Sequence, residues 1–179
     1  MQSALGEMAQ SEAGRRVLAG ETLTRIIGFE ADELEAIYHI GFQEFEQGRL
    51  EEAGETFRFL CLADHRSPRF WMGLGAVKQR RGDHVGAIAA YSVVADLEPG
   101  PEPALRAAEC HLALGMVDEA LDAIQAALGL ARRGGDPDGV IRHAEVLLGI
   151  VDQTFAALKA KSNGNGAAAA AAPATGVAS

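Results

Sequence analysis

Histidine and cysteine are the side chains in this sequence that could hold a transition metal. Cys61 and His65 stand four residues apart, a spacing that places both on one face of a helix, and Cys110 adjoins His111. A structural zinc site needs four ligands, which usually come as two closely spaced pairs. These two partial pairs do not complete such a set, and the other three histidines are scattered. We therefore predict no metal site and no cofactor.

Residue types suited to catalysis occur without the context that catalysis needs. No serine stands in a nucleophile elbow, and Gly73-Leu74-Gly75 lies inside a predicted helix instead of a strand-to-helix phosphate loop. The acidic pairs Glu51-Glu52 and Asp118-Glu119 open predicted helices, where a carboxylate is favoured by the helix dipole. We predict no catalytic residues and no enzymatic activity.

The charge balance and the cysteine content restrict the partners and the compartment. A net charge of -9 and a pI near 5.0 argue against binding to nucleic acid or to an anionic membrane surface. Both cysteines fall in predicted helices, which suits free thiols in a reducing cytoplasm. The chain has no basic-then-apolar start and no apolar run of about 18 residues. We predict a cytoplasmic protein that does not bind membranes directly.

The elements that position these residues repeat with a period of 34 and then 33 residues. Each repeat has a glycine, an alanine five residues later and a large side chain nine residues later: Gly48, Ala53 and Phe57; Gly82, Ala87 and Tyr91; Gly115, Ala120 and Ile124. A further small residue precedes each of these glycines by seven positions: Gly41, Gly75 and Ala108. This pattern is typical of tetratricopeptide repeats (TPR), in which a helix, a tight turn and an antiparallel helix form each unit.

Each repeated position has a physical reason. The first glycine ends a helix in the left-handed conformation, which costs glycine little. A glycine in the middle of a helix costs roughly 1 kcal/mol against alanine, so it indicates a helix that crosses closely at that point. The alanine supplies the matching small contact, and the large side chain fills the space between hairpins. We predict an all-α TPR superhelix of three hairpins.

The remaining segments flank the repeats. Residues 1–31 form an N-terminal helical segment, with one or two short amphipathic helices between 14 and 27, which either caps the first hairpin or mediates self-association. The three repeats occupy residues 32–131, with helices at about 32–47, 50–64, 68–81, 84–97, 103–114 and 117–131. Asp136-Pro137 begins a C-terminal capping helix over 136–161. Residues 162–179, rich in glycine, asparagine and alanine, are predicted to be a disordered tail.

The first helix of each hairpin lines the inner side of a TPR stack, and helical spacing gives the side chains that point there. These are Glu35, Tyr38, Phe42 and Phe45; Arg69, Met72, Ala76 and Gln79; and Glu102, Leu105, Glu109 and Leu112. The stripe is apolar in the first repeat and mixed in the others. Its aromatic residues are either ordinary core or pockets for an extended partner peptide.

Three motifs carry a closer resemblance. The stretches CL-x-DH at 61–65, RF-x-x-GLGA at 69–76 and AAECHLALG at 107–115 look like the class II chaperones of bacterial type III secretion systems, the low-calcium-response family. These small acidic chaperones are dedicated to translocator proteins. The likeness covers roughly residues 20–130, and the order of an N-terminal helix, three repeats and a closing helix agrees with it.

The resemblance implies a holding chaperone that binds a short N-terminal segment of a hydrophobic translocator in its inner groove and forms a homodimer. The implied groove residues are Tyr38, Phe42, Phe45, Leu62, His65, Arg69, Met72, Ala76, Gln79, Arg106 and Glu109. The apolar members would take proline and leucine side chains, and the polar ones would hold backbone groups. The alternative is a general TPR adaptor in another bacterial assembly or regulatory complex.

Overall fold

The computed structural model describes residues 15, 16, 19, 21, 22, 28, 30–134 and 139–169, with the side chains of the last helix described as far as 155, except 154. From residue 30 onward the described chain contains seven helices and no strand. They are α1 (Ala31–Glu46), α2 (Leu50–Ala63), α3 (Pro68–Arg80), α4 (His84–Leu97), α5 (Pro101–Ala113), α6 (Val117–Gly134) and α7 (Val140–Ala169). The predicted helices between 14 and 27 lie largely outside the described residues.

The helices form three consecutive hairpins, α1 with α2, α3 with α4 and α5 with α6, and each hairpin packs on the next. Helix α7 packs on α6 and touches α5, so it covers the end of the third hairpin. The all-α TPR fold predicted from the sequence is confirmed. In the described part of the chain, no helix is long and apolar enough to cross a membrane.

Three glycines turn the chain within the three hairpins, as predicted. Gly48, Gly82 and Gly115 have φ angles of 75°, 80° and 74°, in the left-handed region that other residues rarely adopt. The N–H of Gly48 donates to the carbonyl of Phe45 at 3.0 Å, and the equivalent bond recurs at the other two turns. The left-handed residue lets the backbone satisfy the last carbonyls of the first helix before the second begins.

The predicted close crossings between helices are also confirmed. A Cβ on Gly41 would lie 2.9 Å from Cγ2 of Thr56, and one on Gly75 would lie 2.5 Å from the ring of Tyr91. Real Cβ atoms do not approach so closely, so a side chain at either position would force its neighbour to shift. At the third equivalent position Ala108 is fully buried, as are the alanines on the second helix of each hairpin: Ala53, Ala87 and Ala120.

The large repeat side chains fill the space between hairpins. Phe57, Tyr91 and Ile124 are 2%, 1% and 0% exposed. Phe57 belongs to an N-terminal core with Leu34, and Ile124 to a C-terminal core that α7 completes. Tyr91 packs with Ala87 and Cys110 between these two cores, so the apolar interior runs along the whole stack.

Some helix boundaries differ from those predicted. Helix α5 begins at Pro101 instead of residue 103, because proline at the first helical position needs no hydrogen-bond acceptor. Helix α6 continues past 131 to Gly134, and α7 continues past 161 to Ala169, so residues 162–169 of the predicted disordered tail are helical. No proline ends the helix before Pro173, and Ala167, Ala168 and Ala169 favour it, although residues 162–166 (Ser-Asn-Gly-Asn-Gly) are weak helix formers. The predicted start at 136–137 and residues 170–179 lie outside the described residues.

Candidate functional site

An open cavity of about 580 Å³ lies on the side of the stack formed by the first helices of the three hairpins. We call it the trough. Its walls come from α1, α3 and α5, and its floor includes one ring each from α2 and α4. The lining residues are Tyr38, Phe42, Phe45, Phe57, Met72, Gly73, Ala76, Gln79, Arg80, Tyr91, Glu102 and Arg106.

The structure brings most of the predicted groove residues to this trough. Seven line it directly: Tyr38, Phe42, Phe45, Met72, Ala76, Gln79 and Arg106. Two others contact a lining residue, since Arg69 lies against Tyr38 and Glu109 accepts a hydrogen bond from Gln79. Leu62 and His65 are not among the residues that form it.

The aromatic wall on α1 is partly core and partly open. Tyr38 packs edge-to-face on Phe57, with ring centres 5.8 Å apart and planes at 78°. Tyr38 and Phe45 are half-buried, but Phe42 is 47% exposed. An exposed phenylalanine beside two half-buried aromatic rings leaves an apolar surface for a ligand to cover.

Two glycines of α3 make room for the floor. The ring of Phe57 lies directly against Gly73, and the ring of Tyr91 lies against Gly75 in the same way. A side chain at either position would collide with a ring that is almost fully buried. The sequence motif Gly73-Leu74-Gly75 is therefore a packing device that sets the depth of the trough.

At one end of the trough, Arg69 covers the ring of Tyr38. Its guanidinium lies 3.9 Å from the ring centre and donates two hydrogen bonds to Glu35, at 2.6 and 3.0 Å. The hydrogen bond from Arg69 lowers the pKa of the Glu35 carboxyl below its ordinary value, and the same bond raises the pKa of Arg69. The ion pair thus joins the first and second hairpins and fixes the Tyr38 ring.

Further along the same wall, Arg80 holds Phe45. Its guanidinium lies 4.9 Å from the ring centre, and Nη1 donates to the Phe45 carbonyl at 3.0 Å. Each half-buried aromatic ring on α1 is therefore covered by an arginine from α3, whereas Phe42 between them is not. Each of these arginines is also held by a hydrogen bond, Arg69 to Glu35 and Arg80 to the Phe45 carbonyl. The hydrogen bond restricts where the planar guanidinium can lie, and the guanidinium in turn restricts the orientation of the ring that it covers.

A chain of hydrogen bonds forms the polar part of the trough. The hydroxyl of Tyr91 donates to Oε1 of Gln79 at 2.7 Å, and Nε2 of Gln79 donates to Glu109 at 2.7 Å. Arg106 lies 3.7 Å from this same oxygen of Glu109, and the other Glu109 oxygen lies 3.0 Å from Nε2 of His143 on α7. Burial raises the pKa of Tyr91 above its ordinary value, so this phenol stays a neutral donor. These hydrogen bonds hold the Gln79 amide in one orientation beside the apolar wall.

Four predicted inward residues lie elsewhere, and one of them, Leu112, packs half-buried against the C-terminal core. Leu62 on α2 is 72% exposed, because the second helices of the hairpins form the outer layer of the stack. His65 lies in the α2–α3 connection, where its carbonyl accepts a hydrogen bond from Trp71 Nε1 at 2.9 Å. Leu105, predicted to face inward, is 4% exposed and packs with Ala108 in the C-terminal core. Arg106, one position on, lines the trough instead.

Some trough residues were not predicted as such. Phe57 and Tyr91 were predicted only as filling between hairpins. The closely spaced Gly73 and Gly75, which lie against these two rings, were the available signal that the rings also reach the trough. Arg80 carries no signal in the sequence, because its stacking on Phe45 joins residues 35 positions apart.

The thiols and imidazoles do not form a reactive or metal-binding group where the structure describes them. Burial raises the pKa of Cys61 to about 12 and that of Cys110 to about 11, so both remain protonated thiols at neutral pH. Among the described residues, no three His, Cys, Asp or Glu side chains lie together in a way that could hold a metal ion.

No protein-family model matches the chain. Over 102 residues it is 36% identical to the low calcium response locus protein H of Yersinia pestis, a match that covers 56% of this chain and 61% of that protein. The chain therefore spans less than two thirds of the length of this curated relative.

Solved structures match over almost their whole length. PcrH of Pseudomonas aeruginosa, in complex with the chaperone-binding region of PopD, is 32% identical with a TM-score of 0.67, covering 72% of this chain and 97% of PcrH. The type III secretion chaperone SycD of Yersinia enterocolitica, in complex with a peptide of the translocator YopD, is 30% identical with a TM-score of 0.65. That match covers 70% of this chain and 97% of SycD.

These similarities agree with the motifs and with the fold. The repeats, the glycine crossings and the closing helix α7 account for the helical stack. The sequence identities of 30% to 36% with these relatives are higher than a shared TPR architecture alone requires. SycD is a type III secretion translocator chaperone. The chain therefore belongs to the family of translocator chaperones of type III secretion systems.

Proposed function

We propose that this protein is a cytoplasmic holding chaperone for hydrophobic translocator proteins of a type III secretion system. It binds a short N-terminal segment of the translocator in the trough and performs no chemical reaction. Translocators insert into membranes, so a free one is prone to aggregate or to insert too early. A chaperone that covers one apolar segment keeps the cargo available until it is secreted.

The observation that carries the proposal is the exposure of Phe42 beside Tyr38 and Phe45 along an open cavity of about 580 Å³. A cavity of this size takes a few side chains of an extended segment, not a whole folded domain. The relatives PcrH and SycD have been crystallised with a translocator region and a translocator peptide.

The trough suits an extended segment with spaced apolar side chains. Phe42, Phe45 and Met72 offer apolar surface, and the fixed amide of Gln79 has a donor and an acceptor left for a peptide backbone. Binding is expected to be moderate, because ordering a disordered segment costs free energy and the cargo has to be released.

Co-expression tests this function. A translocator encoded in the same gene cluster should remain in the soluble fraction and co-purify when it is expressed with this chain. Phe42→Glu should abolish both effects, because it places a charge on the apolar wall, while helical content by circular dichroism stays unchanged.

The matched control is Val85→Glu, which changes an equally apolar side chain that is 68% exposed on α4 and does not line the trough. It should keep the translocator soluble. If the translocator is equally soluble with and without the chaperone, or if Phe42→Glu and Val85→Glu behave alike, this function is wrong. A stronger effect of polar than of apolar competitor peptides would point to a general adaptor.

We also propose that the protein forms a homodimer, as SycD does in one of its crystal structures. The N-terminal segment of residues 1–31 is the proposed contact, since it lies outside the repeats. Sedimentation of the full chain and of a variant lacking residues 1–28 tests this, because only the full chain should sediment as a dimer.

A further inference from the structure

A second cavity, of about 390 Å³, lies at the edge of the trough, where α3 and α5 begin and α4 and α6 end. We call it the edge pocket. Met72 and Glu102 line both cavities, so the edge pocket adjoins the trough across these two side chains. Its apolar surface comes from Met72, Val94 and Leu130 and from the prolines of the α4–α5 connection.

Two carboxylates border this apolar surface. Arg106 donates a long hydrogen bond to Glu102, at 3.5 Å, and also lies 3.7 Å from Glu109. Glu98, at the end of α4, has no cation within ion-pair distance among the described residues. Among the described residues, Glu98 and Glu102 thus have a single cation between them within ion-pair distance, Arg106, and Glu109 shares it.

One cation also lines the edge pocket, but its charge is already compensated. Arg69 donates two hydrogen bonds to Glu35 and lies over the ring of Tyr38. A guanidinium held in a two-point ion pair contributes little field to its surroundings beyond that pair. The edge pocket is thus an apolar surface with an excess of negative charge at its border.

We propose that the edge pocket receives a lysine or arginine side chain of the same extended cargo segment that occupies the trough. This inference rests on the proposed function, because it concerns the segment that the trough binds. A long basic side chain has an apolar stem, which would pack on Met72, Val94 and Leu130, and a cationic end that reaches Glu98 and Glu102. An apolar side chain would leave Glu98 without a cationic partner, and an acidic one would be repelled.

The trough therefore has two chemically different ends. The α1 end, with Phe42 and Phe45, selects apolar side chains, whereas the edge pocket selects a cation at a fixed distance along the segment. Because Glu98 is exposed, its ion pair is screened by solvent and salt, and its main effect is on specificity. We expect neutralising both carboxylates to weaken binding by about fivefold, and high salt to remove that difference.

Selection from random peptides tests the inference and requires no cargo sequence. The full-length chain is used to select binders from a phage-displayed library of random dodecapeptides, and the strongest binder is synthesised for titration by fluorescence anisotropy. The same selection is repeated with Glu98→Gln/Glu102→Gln and with Phe42→Glu. The matched charge control is Glu119→Gln/Asp122→Asn, which neutralises two exposed carboxylates on α6 that line neither cavity.

The expected result is enrichment of lysine or arginine at a constant spacing from apolar positions. The enrichment should disappear with Glu98→Gln/Glu102→Gln, which should also weaken the synthesised peptide about fivefold, and it should persist in the α6 control. Binders that depend on Phe42 but show no basic preference and no response to Glu98→Gln/Glu102→Gln would overturn the inference and leave the proposed function standing.

Two further results would also decide the matter. If no selected peptide depends on Phe42, the trough is not a peptide site, and the proposed function fails together with the inference. If Glu98→Gln/Glu102→Gln changes the sedimentation of the chain but not peptide binding, the edge pocket belongs to a contact between two copies, and the inference is overturned.

Discussion

The guanidinium of Arg80 lies 4.9 Å from the centre of the Phe45 ring and also donates a hydrogen bond to the carbonyl of Phe45 itself. One side chain on α3 thus holds both the ring and the backbone of a residue on α1. Since Phe45 is part of the trough wall, the shape of that wall depends on a contact between two hairpins.

Replacing Arg80 should loosen this wall. Arg80→Ala removes the stacking and the hydrogen bond, which together contribute about 1–2 kcal/mol, and Phe45 then gains rotamer freedom. We expect cargo binding, measured by co-purification with a translocator, to fall while helicity by circular dichroism is retained. Arg80→Lys should recover only part of the loss, because lysine keeps the charge but lacks the planar group. Full recovery by lysine would show that charge alone matters.

The crossing at Ala87 leaves no room for a larger side chain. Ala87 is 0% exposed, so Ala87→Trp should prevent the second and third hairpins from packing and should abolish cooperative thermal unfolding. Ala89→Trp is the matched control, because Ala89 is exposed on the same helix and should tolerate the ring. A folded Ala87→Trp protein with an unchanged melting transition would contradict the repeat packing.

Two glycine-to-alanine substitutions should have opposite signs. At Gly75 the new Cβ would meet the buried ring of Tyr91 at 2.5 Å, so Gly75→Ala should destabilise the protein by about 1–3 kcal/mol. At Gly149 in α7 nothing lies within 4 Å, so Gly149→Ala should stabilise it by up to about 1 kcal/mol. Urea unfolding followed by circular dichroism measures both. If both variants changed the free energy of unfolding in the same direction, the helix crossing at Gly75 would be less tightly packed than in the structure.

The two cysteines should react only when the chain opens. Burial raises the pKa of Cys61 to about 12 and that of Cys110 to about 11, so at pH 8 neither presents a thiolate in the folded state. We expect a disulfide reagent such as DTNB to modify them slowly in buffer and quickly in urea. Because their folded pKa values are raised, the stability they contribute is present below the unfolded pKa and is lost as the pH rises from about 9 to 12. Rapid modification in buffer would contradict their burial.

Asp83 should make helix α4 sensitive to acid. Its Oδ1 accepts a hydrogen bond from the N–H of Gly86 at 2.9 Å, and its Oδ2 lies 2.8 Å from Lys78. The hydrogen bond from Lys78, followed by that from Gly86, lowers the pKa of Asp83 below its ordinary value of 3.8. The stabilisation is therefore present above about pH 3.8 and is lost as the pH falls through the lower folded pKa. Asp83→Asn, an N-cap without charge, should reduce this loss in urea unfolding between pH 5 and pH 2.5.

The parts of the fold that repeat were predictable, because each repeat imposes the same local constraint three times. The spacing of Gly48, Gly82 and Gly115 identified the three hairpins, and Gly75 identified a helix crossing. The family indicated by the three motifs is confirmed by the similarity to known translocator chaperones. The end of α7 was harder, because a run of glycine and alanine gives no periodic signal.

The trough was predictable only as far as its residues follow helical spacing. Tyr38, Phe42 and Phe45 recur on one face of α1, so they could be placed on the inner side. Leu105 fits the same spacing, but its side chain is buried in the C-terminal core. Burying a leucine stabilises the folded state more than leaving it exposed on the inner side of the stack. Arg80 could not have been found, since a rotamer reaching across two helices depends on the assembled structure.

Phe57 and Tyr91 each serve two purposes, as wedges between successive hairpins and as the floor of the trough. A mutation in either ring would therefore change both the stability of the protein and its ligand preference. Most such mutations would unfold the protein, so they could not give rise to a new ligand preference. Residues around the edge of the two cavities do not hold hairpins together, so they can change without unfolding the protein. Divergence among relatives that serve different cargo should accordingly be concentrated at positions such as Phe42, Ala76, Glu98 and Glu102, above a floor that stays nearly constant.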